Sequence, residues 1–281
     1  DEEVSRGLGD VYKRQGAYKL ENYKRPFKCW KKDGHMDVNL SSAVASSCDV
    51  FFYRLAEVSG IDMIHEKLQK FGFGEKTYID LYGEKTGLLP SREWKNQSRQ
   101  TAWYPGETLN VGIGQGYFLA TPLQLANATS LLASGGSSVT PHLFLRSIDR
   151  VNNEVSNFNY SDNKNEIEID TESLHVVNEA MWRVIYDKNI GTASHIKKID
   201  SLEFAGKTGT AQVYNLDKGK TGKKSLQDHA LFISFAPFER PEIVVSVIVD
   251  NGGSGSAVAA PIARDIINFY FENIKSKVAL Q

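Results

Sequence analysis

The stretch Lys207-Thr208-Gly209-Thr210 constrains this chain more than any other. Leu202-Glu203-Phe204-Ala205-Gly206 precedes it and Ala211-Gln212-Val213 follows. The run reads as a β-strand carrying a cation, hydroxyls and a glycine on one edge. Such an edge has a specific use. Its lysine attracts the C-terminal carboxylate of a peptide, and the Thr208 and Thr210 hydroxyls can hydrogen-bond that carboxylate. Gly209 has no side chain, so a peptide can lie alongside as an added strand. The Thr210 backbone N–H would point at the scissile carbonyl as half of an oxyanion hole. Losing one such donor typically costs ~3 kcal/mol of transition-state stabilisation.

The tripeptide Lys-Thr-Gly occurs three times, at 85–87, 207–209 and 220–222, so context must separate the copies. Lys85 lies between Gly83-Glu84 and Leu88-Leu89-Pro90, in a loop. Lys220 lies in an insert with Gly219, Gly222, Lys223 and Lys224. Both read as solvated surface lysines. Lys207 alone sits on a strand followed by a hairpin and a terminal helix.

Upstream, Ser47-Cys48-Asp49 interrupts an apolar, helix-like stretch over 38–58. A Ser-x-Asp triplet alone is usually a helix cap or kink. Beside a Lys207 strand it gains a chemical reading. Ser47 would relay a proton between a nucleophile and a leaving amine. Asp49 would orient lysine side chains and bond substrate backbone.

The rest of the chain supports one large α+β unit. With 281 residues it can bury a substantial core. A net charge of −1 argues against a basic nucleic-acid binder. No window reaches the ~18 apolar residues of a membrane span. Gly60 ends the first helical stretch, and 61–71 reads as a short amphipathic helix with Ile64, Leu68 and Phe71 on one face. Residues 75–118 read as aromatic loops. Thr121 and Pro122 start a helix through Leu132. Residues 151–170 read as a solvated loop or weak hairpin. A helix over 171–186 should turn Leu174, Val177, Met181, Val184 and Ile185 inward. Strands follow at about 202–213, 230–236 and 242–249, the last two joined by a turn at Phe238-Glu239-Arg240-Pro241. Residues 256–273 form an amphipathic helix with Val258, Ile262, Ile266 and Phe269 expected to face the sheet. Residues 1–15 fit no period and resemble a translated sequencing adaptor; they are expected to be foreign or disordered, the other reading being an ordinary polar tail. Residues 276–281 read as a tail.

Ser47-Cys48-Asp49-Val50-Phe51-Phe52-Tyr53, Gly112-Ile113-Gly114-Gln115-Gly116, Ala120-Thr121-Pro122-Leu123-Gln124, Gly206 to Gln212 and Ala236-Pro237-Phe238 together resemble the penicillin-binding protein 2 family of class B peptidoglycan D,D-transpeptidases. The resemblance runs from about 16 to 275. It implies the serine β-lactamase/D,D-transpeptidase fold, an antiparallel sheet flanked by helices, with a helical lobe over about 38–135 and the sheet and last helix over about 202–273. It implies catalytic Ser47, Asp49 and Lys207, with substrate held by Lys207, Thr208, Gly209 and Thr210. Substrates are stem peptides ending in D-Ala-D-Ala, with β-lactams as acylating analogues. The implied setting is the inner membrane with the catalytic domain in the periplasm. The implied partners are a SEDS-type glycosyltransferase and the elongation complex. No cofactor is needed for catalysis.

One family feature has no counterpart. The nucleophile motif Ser-x-x-Lys should precede Ser47 by some tens of residues. Two formal matches lie elsewhere, Ser161 to Lys164 in the acidic loop and Ser194 to Lys197 before the Lys207 strand. Neither is placed to meet both other motifs. The fold is therefore expected to be incomplete at its N-terminus, and the chain as given inactive, since no acyl-enzyme forms without the serine. A rival serine β-lactamase reading needs a base for deacylation, but no Glu-x-x-x-Asn occurs in 75–200. A naturally inactive penicillin-recognising or scaffold domain is the other rival.

The two cysteines flank a histidine as Cys29-x5-His35-x12-Cys48. Thiolates and imidazole suit zinc, although the spacing is not that of a common zinc finger. A Cys29–Cys48 disulfide and two free thiols are the alternatives. The family resemblance implies a structural metal beside the Ser-x-Asp turn, held by Cys29, His35, Cys48 and an upstream Asp, with Asp33 as a substitute. His229 opens a strand and reads as a structural histidine at the edge of the site.

Overall fold

The structure, a computed structural model, describes residues 12–14, 16–157, 164–213 and 227–275. Its central element is an antiparallel sheet of three strands, β9 (Ala205–Ala211), β10 (His229–Ala236) and β11 (Ile243–Val249), in the order β11-β10-β9. The hairpin between β10 and β11 closes at Ala236 opposite Ile243, across the expected Phe238-Glu239-Arg240-Pro241 turn. Lys207 pairs with Ile233 and Gly209 with Leu231, which leaves the other side of β9 without a partner strand among the described residues.

Both faces of this sheet are covered. On one, Phe232, Val245 and Val247 pack with Ala259, Ala260, Ala263 and Ile267. On the other, Ala205 and Phe235 pack with Met181, flanked by Val177 and Leu132. Phe204, Phe232, Phe235 and Ile267 are fully buried. Each such side chain is worth about 1.5–3 kcal/mol relative to exposure. The helices are α5 (Pro122–Ala133), α6 (Thr171–Tyr186) and α7 (Ala260–Phe269), the last lying between π-helical turns at Gly255–Ala259 and Tyr270–Lys275. The fold class is thus the expected one, an antiparallel sheet flanked by helices.

Local signals account for most boundaries. Thr121 and Gln124 form a capping box, with Pro122 just inside the helix. Asp170 caps α6 by accepting from the Ser173 N–H. Met181, Val184 and Ile185 are buried as expected, and Leu174 and Val177 are half-buried. Asp149 to Glu154 turns the exposed hairpin of β6 (Arg146–Ile148) and β7 (Val155–Asn157), while β5 (Ser137–Val139) pairs with β8 (Lys164–Glu166).

Three expectations need correction. First, Tyr12–Arg14 forms β1 and pairs with β4 (Met36–Val38), so part of the segment expected to lie apart is tied to the fold by backbone bonds. A further short pair, β2 (Ala17–Tyr18) and β3 (Phe27–Lys28), follows. Second, the 75–118 region holds two helices, α3 (Arg92–Arg99) and α4 (Pro105–Gly112). Ser91 caps the first, and Pro105 with Glu107 at the third position starts the second. The stretch after Asp49 breaks at Gly60 as expected: α2 (Asp49–Lys70) is two helices meeting there, where φ is 72° and ψ 162°. Third, α7 turns its small residues inward. Ile262, Ile266 and Phe269 are 41%, 44% and 57% exposed, whereas Ala260, Ala263 and Ile267 are buried.

The helical lobe is built on α1 (Leu40–Ser46), α2 and α4. Its core joins Leu20, Cys29, Val38, Val50, Tyr53 and Leu109. The α2–α4 approach is close enough that a Cβ on Gly112 would lie 2.4 Å from Ala56 Cβ, so only glycine fits there.

Candidate active site

The Ser-Cys-Asp triplet is the joint between two helices. Cys48 N–H bonds Ala43 O and Ser47 N–H bonds Val44 O, the paired bonds of a Schellman motif ending α1. Ser47 takes the left-handed place usually held by glycine, with φ 53° and ψ 54°. Cys48 then caps α2, and Asp49 occupies its first turn, where a carboxylate favours the helix dipole.

This turn meets β9. Lys207 Nζ donates to Ser47 Oγ at 2.5 Å and to Thr208 O at 2.9 Å. Burial lowers the Lys207 pKa to about 8, and the nearby Asp49 charge opposes that shift. Burial raises Asp49 above the usual carboxylate range; the Trp30 N–H, Cys29 and Lys207 pull the other way. Thr208 Oγ1 lies 2.9 Å from Thr192 Oγ1, and Thr192 N–H bonds Ala45 O, so the loop after α6 ties α1 to β9. Thr210 is exposed, and its carbonyl accepts from Gln115 Nε2 at 2.8 Å. Gly209 also answers to its own sheet: an added Cβ would lie 3.1 Å from Leu231 Cβ.

The structure therefore brings together Ser47, Asp49 and the Lys207 strand. Lys85 is an exposed loop residue. The third Lys-Thr-Gly, at 220–222, and Ser161 lie outside the described residues. Ser194 sits in a turn where its carbonyl accepts from Lys198, and Lys197 is exposed. His229 Nδ1 accepts the Asn251 N–H at 3.0 Å, a structural use.

Cys29, His35 and Cys48 converge, with donor atoms all within 4.8 Å of one another. Cys29 Sγ is 3.6 Å from His35 Nδ1. Both thiols are free and buried, so the disulfide alternative is not realised. The bond with Cys48 brings the Cys29 pKa down to about 7, against burial, while the same bond and burial raise Cys48. Burial lowers His35, whose Nε2 is buried without a partner. Asp33 is exposed and outside the cluster, so it does not serve as the fourth donor.

Sequence reasoning missed Trp30, Thr192 and Gln115. Only Gln115 carried a signal, as part of a glycine-flanked loop with no role assigned. The contacts of Trp30 and Thr192 arise from tertiary approach.

The penicillin binding protein transpeptidase domain family matches residues 9–268. The chain belongs to that family. It is 39% identical over 263 residues to the peptidoglycan D,D-transpeptidase MrdA of Haemophilus influenzae, covering 91% of this chain and 40% of that protein. It is 34% identical over 258 residues to MrdA of Escherichia coli K12, covering 90% and 40%. The chain thus spans about two fifths of the curated relatives it matches. Among solved structures it superposes on Pseudomonas aeruginosa PBP2 in complex with WCK 5153, with TM-score 0.82, 38% identity, and coverage of 95% of this chain and 57% of the other. It also matches Helicobacter pylori PBP2 in complex with MreC, with TM-score 0.80, 29% identity, and coverage of 97% and 47%. The expected penicillin-binding protein 2 resemblance is therefore shown.

Proposed function

We propose that this chain is the transpeptidase part of a peptidoglycan D,D-transpeptidase of the penicillin-binding protein 2 type. The observation that carries the reading is the 2.5 Å bond from Lys207 Nζ to Ser47 Oγ across 160 residues. Lys207 would hold the terminal carboxylate of a stem peptide, with the Thr208 and Thr210 hydroxyls beside it. The peptide would add to the free side of β9, and the Thr210 N–H would meet the developing oxyanion. A serine from a Ser-x-x-Lys motif attacks the penultimate D-Ala carbonyl. Its oxygen bonds that carbon, and the terminal D-Ala leaves as the amine, taking its proton through Ser47. A second stem's amine then attacks the ester and frees the serine. Asp49 orients the lysines.

We assign neither Ser-x-x-Lys of the chain, at 161–164 or 194–197, as the nucleophile. The chain as given should accordingly take no covalent label from a fluorescent penicillin. Supplying an upstream segment that carries Ser-x-x-Lys should restore labelling. Label mapped to Ser161 or Ser194 of the chain as given would overturn the motif assignment. A natural upstream sequence without Ser-x-x-Lys would favour an inactive penicillin-recognising domain instead. Within this reading the protein works in the periplasm from the inner membrane, beside a SEDS-type glycosyltransferase and the elongation complex. No described helix is long and apolar enough to cross a membrane.

The converged cysteines and histidine favour a second site, for structural zinc. Two buried thiols and an imidazole with an orphaned Nε2 fit as three ligands. Bound there, zinc would staple the 29–35 loop to the turn that carries Ser47 and Asp49, away from the reacting atoms. Elemental analysis of freshly purified protein tests this. No metal, together with unchanged stability in His35→Ala, overturns it.

A further inference from the structure

Trp30 is 61% exposed, yet both of its N–H groups are engaged. The indole Nε1–H donates to Ser47 O at 2.9 Å and to Ser46 O at 3.1 Å. Its backbone N–H donates to Asp49 Oδ2 at 2.9 Å. The ring leans on His35, with centroids 5.3 Å apart and planes at 60°. One residue thus touches the residue before the triplet, its serine and its aspartate.

These bonds fall where the chain is least self-sufficient. Ser46 ends α1 and Ser47 is its left-handed cap, and carbonyls at a helix end lack partners further along the helix. Ser47 is also left-handed without being glycine, a conformation that persists only where the surroundings determine it. Solvent could satisfy both carbonyls without fixing their direction. An indole held by His35 and by its own backbone bond fixes it. The Ser46 and Ser47 carbonyls belong to the peptide planes on either side of the Ser47 Cα, so holding both constrains its φ and ψ, the Cα–Cβ vector and the hydroxyl that Lys207 reaches.

We infer that Trp30 is a positioning residue that clamps the Ser47–Asp49 turn in its reactive geometry. This rests on the reading of Ser47, Asp49 and Lys207 given above. Trp30 acts through main-chain groups, so its loss should slow the chemical step without emptying the site.

The test uses the protein expressed from its own initiator methionine, with a fluorescent penicillin as probe. Trp30→Phe keeps a ring against His35 and removes the Nε1–H. The saturating extent of labelling should stay at the parental level, which counts folded sites. The acylation rate constant should fall about tenfold, as for one lost hydrogen bond of about 1.4 kcal/mol. The affinity of the first, non-covalent penicillin complex should be unchanged. If Trp30→Phe fails to fold, Trp30→benzothienylalanine, with sulfur in place of N–H, should show the same slowing. Lys207→Ala is run alongside. Slowed Lys207→Ala with a Trp30 variant within twofold of parent overturns the clamp alone. Parental rates in both variants overturn the reading of the site, and the clamp with it.

Discussion

Lys207 makes the site's behaviour depend on pH in a direction fixed by its surroundings. Burial brings its pKa from the usual lysine value to about 8. At pH 7 about nine tenths of the protein then carries the ammonium, and at pH 9 about one tenth. If the ammonium holds the substrate carboxylate, acylation by a fluorescent penicillin should fall about tenfold between those pH values, in the protein expressed from its own initiator methionine. Lys207→Ala should be slower than parent by more than tenfold at pH 7, because the carboxylate loses its cation. It should also lose the fall between pH 7 and 9. Stability carries the same signature with its own sign. A lysine whose folded pKa lies below its unfolded pKa binds fewer protons when folded between the two values, so stability rises with pH from about 8 to about 10.5. Urea unfolding across that window should show the rise in parent and lose it in Lys207→Met. An alkaline fall that survives in Lys207→Ala would refute the assignment of the titration to this lysine.

Three further outcomes follow from packing and charge. Gly112→Ala places a methyl 2.4 Å from Ala56 Cβ and should cost about 1–3 kcal/mol in urea unfolding; an unchanged midpoint would show that α2 and α4 can separate freely. Lys95 is 3% exposed and both its bonds to the Glu107 carboxylate are 2.6 Å, so Glu107→Gln should cost about 3–5 kcal/mol by stranding a buried ammonium. Lys95→Met with Glu107→Gln should cost less than the two single changes added together, and simple additivity in a double-mutant cycle would count against a coupled pair. A chelator should lower the melting temperature of the metal-loaded protein, and His35→Ala should remove that response; a reductant should leave it unmoved, because the cysteines are free.

The site was legible where chemistry sits on one element. The Lys207 strand could be picked from three Lys-Thr-Gly copies because only one lies in a strand-like run ahead of a hairpin and a helix. The triplet was legible as a cap, and it is one twice over, ending α1 at Ser47 and starting α2 at Cys48. Helices without an apolar stripe were not legible. α3 reads Arg-Glu-Trp-Lys-Asn-Gln-Ser-Arg and rests on its Ser91 cap, while α4 carries two glycines and is held by Gly112 against Ala56. Contacts made by approach, such as Trp30 to Ser47 or Gln115 to Thr210, leave no spacing in the sequence to read.

The last helix failed for a more specific reason. Its large aliphatic residues recur at helical spacing, so periodicity sends Val258, Ile262, Ile266 and Phe269 to the sheet. The chain enters this helix almost against the strands: a Cβ on Gly255 would lie 2.3 Å from Gly209 O and 2.5 Å from Leu231 O. At that distance only small side chains fit between helix and sheet, and Ala259, Ala260 and Ala263 take those places. Ile262, Ile266 and Phe269 are left on the outward side of the helix, 41%, 44% and 57% exposed. A residue larger than alanine at 260 or 263 would press on Phe232 of β10 and, through its pairing with Thr208, on the strand that carries Lys207.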